Sequence, residues 1–239
     1  MTNPKLLCKI HDGTMILSLN RPEKLNAIDN ELSHELLEAL HLANEDRSVK
    51  VVLLRGNGKA FCAGRDISAA PTEEDLTSVQ AVAQAIVGLS KPVVAAVHGW
   101  TVGAGLEWML NADVVIAASS ARFKLPEASL GVFVTGGLIA TLPAYAGVAR
   151  AKALMLLGDE FSAEDAQSWG LIWRVVEPEE LDPESERITQ KLASLKPDLA
   201  ARFKRALNEV GLHKFSQAID MENEAHRAVV ASEPNAAGS

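Results

Sequence analysis

The chain has 239 residues, a formal net charge of -8 at pH 7, 48% hydrophobic residues and 23% charged residues. This balance is typical of a soluble globular protein with a sizeable core, and the negative charge argues against nucleic-acid or anionic-membrane partners. No apolar run is as long as a membrane span, and the N-terminal stretch lacks the apolar core of a signal peptide. We therefore expect a cytoplasmic protein with no membrane or nucleic-acid partner.

The two cysteines, Cys8 and Cys62, have neither metal-type nor disulfide-framework spacing, which favours a reducing compartment. Cys62 has no basic partner in its local sequence, so we interpret it as a small buried hydrophobic residue rather than a nucleophile. His98 follows an apolar run and is interpreted as a hydrogen-bonded histidine at the end of a strand rather than as a catalytic base.

The first 60 residues predict a hairpin, a helix and a buried strand. Apolar runs at 6–10 and 14–19 flank His11-Asp12-Gly13, a hairpin signal. Asp29 is a suitable N-cap for a helix with leucines at helical spacing that runs to about residue 44. The continuous apolar run at 51–54 predicts a strand buried on both faces, and thus a largely parallel sheet with covering helices.

The region around His98-Gly-Trp-Thr-Val-Gly-Ala-Gly-Leu-Glu is the most informative. A strand predicted at 93–97 leads to glycines at 103 and 105 and then to a helix over 106–110. The first N–H groups of that helix have no internal partner, so they are available to a developing negative charge next to Glu107. The alternative is an ordinary glycine turn in which Glu107 merely favours the helix N-terminus.

The glycine-rich loop at 56–67 is a second candidate donor loop, and it is followed by a polar segment at 71–75 for which we expect mobility. The remaining predicted strands lie at 114–117, 122–125 and 171–176. The remaining predicted helices lie at 76–89, 138–142, 162–169, 184–195, 198–210 and 215–231, the third of these starting at a capping box of Ser162 and Asp165. We expect an α/β core to about residue 180 followed by a helical region, with no linker between independent domains.

Four stretches in order resemble the crotonase family, the superfamily of enoyl-CoA hydratases and isomerases. They are NRPEKLNAID at 20–29, VVLLRGNGKAFCAGRDI at 51–67, KPVVAAVHGWTVGAGLEWMLNADVVIA at 91–117 and FKLPEASLGVFVTGG at 123–137. The resemblance covers nearly the whole chain, and four motifs at compatible spacing are far more specific than one glycine motif.

The resemblance implies an α/β fold in which ββα units wind into a crotonase-like spiral. Residues 1–180 would form this core, and residues 181–239 a C-terminal helical trimerisation region of the same fold. The implied assembly is a homotrimer or a dimer of trimers, completed by apolar residues after Pro183 such as Leu192, Leu195, Leu199, Phe203, Leu207, Phe215 and Ile219.

The resemblance also implies an acyl-CoA thioester as substrate, with no metal and no cofactor beyond the coenzyme A that belongs to the substrate. Glu107 and Glu127 would be the catalytic carboxylates, and the backbone N–H groups of Arg65 and Ala104 would form an oxyanion hole. The remaining substrate-binding positions implied by the motifs are Lys24, Ala27, Ala63, Gly64, Asp66, Ile67 and Gly103.

The presence of both glutamates favours reversible hydration of a 2-enoyl-CoA, because hydratases of the family have a glutamate at each position and many isomerases have only the second. Double-bond isomerisation, thioester hydrolysis, carbon–carbon cleavage and non-catalytic acyl-CoA binding remain alternatives. The segment Val132–Gly137 replaces the proline- and glycine-rich loop frequent in the family. The motifs therefore do not determine which acyl chain the substrate has.

Overall fold

The computed structural model describes residues 4–68 and 72–232. The strands are β1 (Leu6–His11), β2 (Thr14–Leu19), β3 (Val51–Gly56), β4 (Val93–Val97), β5 (Trp100–Val102), β6 (Val114–Ala118), β7 (Arg122–Lys124), β8 (Phe161–Ser162) and β9 (Arg174–Val176). The helices are α1 (Asn30–Glu45), α2 (Glu73–Gly88), α3 (Ala104–Leu110), α4 (Glu127–Leu130), α5 (Leu138–Ala146), α6 (Val148–Leu157), α7 (Ala163–Ser168), α8 (Leu181–Ala193), α9 (Pro197–Gly211) and α10 (Phe215–Ser232). No helix in these two described ranges is long and apolar enough to cross a membrane.

A six-stranded sheet in the order β1-β2-β3-β4-β6-β9 forms the centre of the fold. Only the β1–β2 pair is antiparallel, and its two-residue turn places Asp12 and Gly13 at positive φ, as the hairpin signal predicted. The other neighbouring strands are parallel. The predicted parallel sheet with covering helices, wound from ββα units, is therefore confirmed.

Local capping signals explain where several helices begin. Asp29 accepts a hydrogen bond from the Leu32 N–H at 2.9 Å, as predicted. Thr72 and Asp75 form a reciprocal capping box before α2, and the predicted box of Ser162 and Asp165 stands at the start of α7.

Several predicted boundaries are wrong. The helix predicted at 76–89 begins earlier, at Glu73, because the capping box of Thr72 and Asp75 starts it there, and position 71 lies outside the described residues. The last strand is limited to Arg174–Val176, and Leu171 and Ile172 before it pack in the core. The sequence interpretation also missed β5, β8, α4 and α6, of which all but α6 have only two to four residues.

The sheet has apolar side chains on both faces. One face packs against α1, α2 and α3 in the main core, and the other is covered by α8 through Leu181, Ile188 and Ala193. Helix α10 adds Phe215 and Ile219 to the main core. Helix α9 differs, because its apolar side chains are exposed: Leu199, Phe203, Leu207 and Val210.

Candidate active site

The turn from β5 into α3 lies at the centre of the site. Gly103 has a φ of +50° and donates its N–H to the Lys124 carbonyl at 3.0 Å. A Cβ at this position would lie 2.6 Å from Oε1 of Glu127, so the carboxylate would have to move away. Glycine therefore lets the start of α3 approach the carboxylate of Glu127 directly.

The loop before Arg65 runs beside this turn. The Val102 N–H donates to the Cys62 carbonyl at 2.9 Å, and a Cβ on Gly64 would lie 2.8 Å from the Val102 oxygen and 3.7 Å from the Ala104 nitrogen. The two predicted donor loops are thus adjacent. Within residues 4–68 and 72–232, neither the Arg65 N–H nor the Ala104 N–H donates a hydrogen bond to another protein group.

The predicted coenzyme A positions form a neighbouring surface. The Ala63 N–H donates to the Leu25 carbonyl at 3.0 Å, which joins the segment containing Lys24 and Ala27 to the Arg65 loop. Lys24 is exposed, and so is Ile67, with 79% of its surface accessible. The structure therefore brings these positions together beside the candidate oxyanion donors.

Asp66 differs from its neighbours because its carboxylate is already bonded within the protein. Hydrogen bonds from Ser68, and then the Arg21 guanidinium at 2.9 Å, lower the pKa of Asp66 to about 2. These bonds fix the backbone at the end of the Arg65 loop, so its carboxylate has a structural function.

Glu107 lies on α3 and is 1% exposed. Its Oε1 accepts the Thr135 N–H at 3.1 Å, and its Oε2 accepts the Thr135 hydroxyl at 3.2 Å. Burial raises the pKa of Glu107 well above its usual range, and the bonds from Thr135 and Gly136 oppose this by stabilising the ionised form.

Glu127 begins α4, directly after Pro126. Its Oε2 is buried and has no hydrogen-bond partner among the residues that the structure describes. Burial, followed by the charge of Glu107, raises the pKa of Glu127 to about 8. The two glutamates are therefore close enough to interact, and for Glu127 a backbone hydrogen bond at its own residue only partly offsets the effect of burial.

The sequence interpretation missed two residues at this site, Thr135 and Glu222. Thr135 had no motif to mark it, because its function depends on the fold of the 132–137 loop. Glu222 is fully buried on α10, although it is a carboxylate. It falls on the apolar stripe of α10 with Phe215, Ala218 and Ile219. A carboxylate at a position that the helical spacing directs to the core could have marked Glu222 as a functional candidate.

The structure agrees with the non-catalytic interpretations of Cys62 and His98. Cys62 is fully buried, its Sγ donates to the Asn26 carbonyl at 3.2 Å, and burial raises its pKa to about 12. Nε2 of His98 lies 2.9 Å from the Gly58 carbonyl oxygen. Neither side chain needs a catalytic explanation.

Comparison with known proteins identifies the family. The family model described as enoyl-CoA hydratase/isomerase matches residues 9–238. The chain belongs to this family. The match spans both donor loops, both glutamates and the C-terminal helices, in agreement with the resemblance of the four motifs.

Family relatives have different named activities. The 1,2-epoxyphenylacetyl-CoA isomerase of Escherichia coli is 35% identical over 232 residues, covering 93% of this chain and 88% of the relative. The crotonyl-CoA hydratase of Syntrophomonas wolfei is 34% identical over 233 residues, covering 94% and 89%. An enoyl-CoA hydratase structure from Mycobacterium avium subsp. paratuberculosis has a TM-score of 0.91 at 30% identity, covering 96% of this chain and 91% of that one. Family membership thus supports acyl-CoA chemistry. Which reaction the chain catalyses must be argued from the residues of its site.

Proposed function

We propose that the protein catalyses the reversible hydration of a 2-enoyl-CoA to a 3-hydroxyacyl-CoA. The observation that carries this proposal is the pair of glutamates beside two adjacent backbone N–H groups, those of Arg65 and Ala104, which have no acceptor in the described part of the chain. Hydration needs a base for the water, an acid for the α-carbon and donors for the thioester oxygen, and this arrangement offers all three.

The different environments of the two glutamates support a different function for each of them. Glu107, whose ionised form is stabilised by Thr135, would take a proton from the water that attacks the β-carbon. Glu127, whose carboxyl group stays protonated to about pH 8, would donate a proton to the α-carbon. The new C–O and C–H bonds replace the π bond of the alkene, one O–H bond of the water and the O–H bond of Glu127, and the second proton of the water remains in the product hydroxyl group. The proton taken up by Glu107 must return to Glu127, directly or through solvent, before the next turnover.

The Arg65 and Ala104 N–H groups would bind the thioester oxygen while negative charge develops on it. Each such donor contributes roughly 3 to 4 kcal/mol in comparable oxyanion holes. Lys24, Ala27, Ala63, Asp66 and Ile67 would hold the coenzyme A moiety next to this hole. The proposal requires no metal and no redox cofactor.

Double-bond isomerisation is the second candidate, and two observations favour it. Glu127 has a buried oxygen without a partner in the described chain, so it could shuttle a proton between the α- and γ-carbons without Glu107. The Escherichia coli relative is also named as an isomerase. We rank hydration first because isomerisation leaves the buried, hydrogen-bonded Glu107 without a function.

The decisive experiment follows the absorbance of the conjugated enoyl thioester with 2-enoyl-CoA substrates of several acyl lengths. Hydration removes the conjugation, so the absorbance should fall, and the 3-hydroxyacyl-CoA should be found by mass spectrometry. Conversion of a 3-enoyl-CoA without any hydration product would replace the hydratase assignment by the isomerase one. Binding of coenzyme A esters with no change of any substrate would favour a non-catalytic protein.

We further propose a homotrimer or a dimer of trimers in the cytoplasm. The exposed apolar side chains of α9 support this assembly, and a cleft of about 630 Å³ beside α9 is lined by Tyr145, Trp173 and Phe203 among others. Light scattering should give the mass of three or six chains. A stable monomer at micromolar concentration would contradict the assembly.

A further inference from the structure

The start of α5 lies between two buried carboxylates. On one side, the Thr135 N–H and hydroxyl bind Glu107. On the other side, the Gly137 N–H donates to Glu222 Oε2 at 2.7 Å, and the Ile139 N–H donates to Glu222 Oε1 at 3.0 Å. Five consecutive residues, 135–139, therefore connect Glu222 on α10 to Glu107 on α3.

Glu222 takes the place of an N-cap residue for α5. The residue before the helix, Gly137, has a φ of +80° and no side chain with which to cap the helix. The first N–H groups of a helix lack internal partners, and a carboxylate is a strong acceptor for them. Glu222 supplies that acceptor from a helix far along the chain, so the position of the 135–139 segment depends on α10.

The segment has little freedom to move independently of Glu222. A Cβ on Gly137 would lie 2.2 Å from Cε2 of Phe215, and a Cβ on Gly136 would lie 2.5 Å from Oε2 of Glu107. The Gly136 carbonyl also accepts the Asn111 side-chain amide at 2.9 Å. The peptide thus fits closely between α3 and α10, and a shift at Glu222 would be transmitted to the Thr135 donors.

We propose that Glu222 is a positioning residue, which holds the 135–139 segment in the place where Thr135 orients the Glu107 carboxylate for its reaction with water. This inference rests on the proposed function, because it assigns Glu107 to the water. Glu222 itself need not touch the substrate. A carboxylate that served only to stabilise α5 would affect all activities of the site equally.

The bonds from Thr135 to Glu107 give the proposal a second consequence. They stabilise the ionised form of Glu107 and so oppose the effect of burial on its pKa. Burial and then the charge of Glu107 raise the pKa of Glu222. Glu127, from the start of α4, also interacts with Glu107. One turn along α10 lies His226, which is near Arg65, Glu73 and Arg227. A substitution of Glu222 that displaces the Thr135 donors should therefore raise the pKa of Glu107.

The test compares Glu222→Gln with Glu224→Gln, a control on the exposed side of the same helix. Two activities are measured for each variant: hydration of a 2-enoyl-CoA, and exchange of the α-protons of a saturated acyl-CoA with deuterated water. The first needs Glu107, whereas the second needs only Glu127 and the oxyanion donors. We expect Glu222→Gln to lower kcat for hydration about tenfold to a hundredfold, the scale for a reacting group misplaced by about 1 Å, with KM and exchange nearly unchanged. Equal loss of hydration and exchange would overturn the proposal.

An activity-independent measurement separates this inference from the proposed function. Infrared difference spectra over a pH titration detect the protonated carboxyl group of Glu107, identified by its loss in Glu107→Gln. In Glu222→Gln, the Glu107 signal should titrate at higher pH, because the displaced Thr135 donors no longer stabilise its ionised form, and an unchanged titration would overturn the proposal. If the parent protein hydrates no substrate but the titration moves, the hydratase assignment fails while the connection between Glu222 and Glu107 stands.

Glu222→Asp provides a second variant if Glu222→Gln does not fold. It keeps the charge but withdraws the carboxylate by one methylene group, so it cannot reach both the Gly137 and Ile139 N–H groups in their present positions. We expect a loss of hydration relative to exchange. An unchanged ratio of the two activities would overturn the proposal.

Discussion

The two segments that carry the glutamates are built differently. Glu107 lies on α3, where all seven residues are buried, and its oxygens are bonded to Thr135. Glu127 opens α4, a four-residue helix with no buried residue, and its Oε2 has no partner in the described chain. A bonded carboxylate in a rigid helix suits a base that holds one water in place. A carboxyl group with one buried oxygen that has no partner in the described chain, beside the candidate oxyanion donors, suits an acid that serves the α-carbon.

The largest effect is expected for Glu127→Gln, which removes the group that we propose as the acid for the α-carbon. Hydration and α-proton exchange should both fall by at least about a hundredfold, the low end for loss of a general acid or base. Stopped-flow absorbance and deuterium incorporation measure the two rates. Affinity for coenzyme A esters should persist, and near-normal exchange in this variant would contradict the assignment of Glu127.

Glu107→Gln should separate the two activities. Hydration should also fall by at least about a hundredfold, but exchange should be retained better because Glu127 and the oxyanion donors remain. The same two assays apply. Full hydration by this variant would refute the function assigned to both glutamates, and robust isomerisation of a 3-enoyl-CoA would move the protein to the isomerase branch.

Gly136→Ala should disturb only the Glu107 side of the site. The added methyl group would lie 2.5 Å from Oε2 of Glu107, so the carboxylate must move. We expect hydration to fall about tenfold or more, since small displacements of reacting groups are costly. Gly88→Ala is the matched control, because its methyl group would meet nothing within 4 Å and should leave hydration unchanged. Equal hydration rates for the two variants would show that Glu107 tolerates displacement.

The smallest expected effect concerns stability. The pKa of Glu127 is raised from 4.5 to about 8 in the folded protein, so the free energy of unfolding should fall as the pH rises from about 4.5 to about 8. Glu127→Gln cannot ionise and therefore avoids this loss. At pH 9 its free energy of unfolding should exceed that of the parent protein by on the order of 1 to 3 kcal/mol, with little difference near pH 5. Denaturant unfolding at the two pH values measures the difference. A stabilisation of equal size at both values would show that ionisation of Glu127 is not its cause.

The ionisation of Glu127 and Glu107 should also determine how activity depends on pH. Loss of the proton from Glu127 should reduce kcat/KM above about pH 8, and protonation of Glu107 should reduce it on the acidic side. A rate profile from about pH 5 to 10 tests both limbs. An activity that keeps rising above pH 9 would exclude Glu127 as the acid.

The sequence by itself determined the elements with strong local signals. Apolar periodicity, the Asp29 cap and the Ser162–Asp165 capping box gave the helices and buried strands, and the runs at 51–54 and 93–97 indicated a parallel sheet. The glycines at 64 and 103 marked both donor loops, because a backbone that must approach another group closely requires glycine. The family motifs then placed Glu107 and Glu127 beside these loops.

Only the tertiary structure decided how the glutamates differ. The hydrogen bonds from Thr135 to Glu107 span 28 residues, and the bond from Gly137 to Glu222 spans 85. No local pattern encodes such distances, because they depend on how α3, α5 and α10 pack together. The motifs therefore indicated which carboxylates are candidates for the reaction. Packing decided that Glu107 is bonded to Thr135, that Glu127 has a buried oxygen without a partner in the described chain, and that Glu222 lies behind the 135–139 segment. The physical reason is that the pKa of a buried carboxyl group depends on desolvation and on its neighbours, and both exist only in the folded chain.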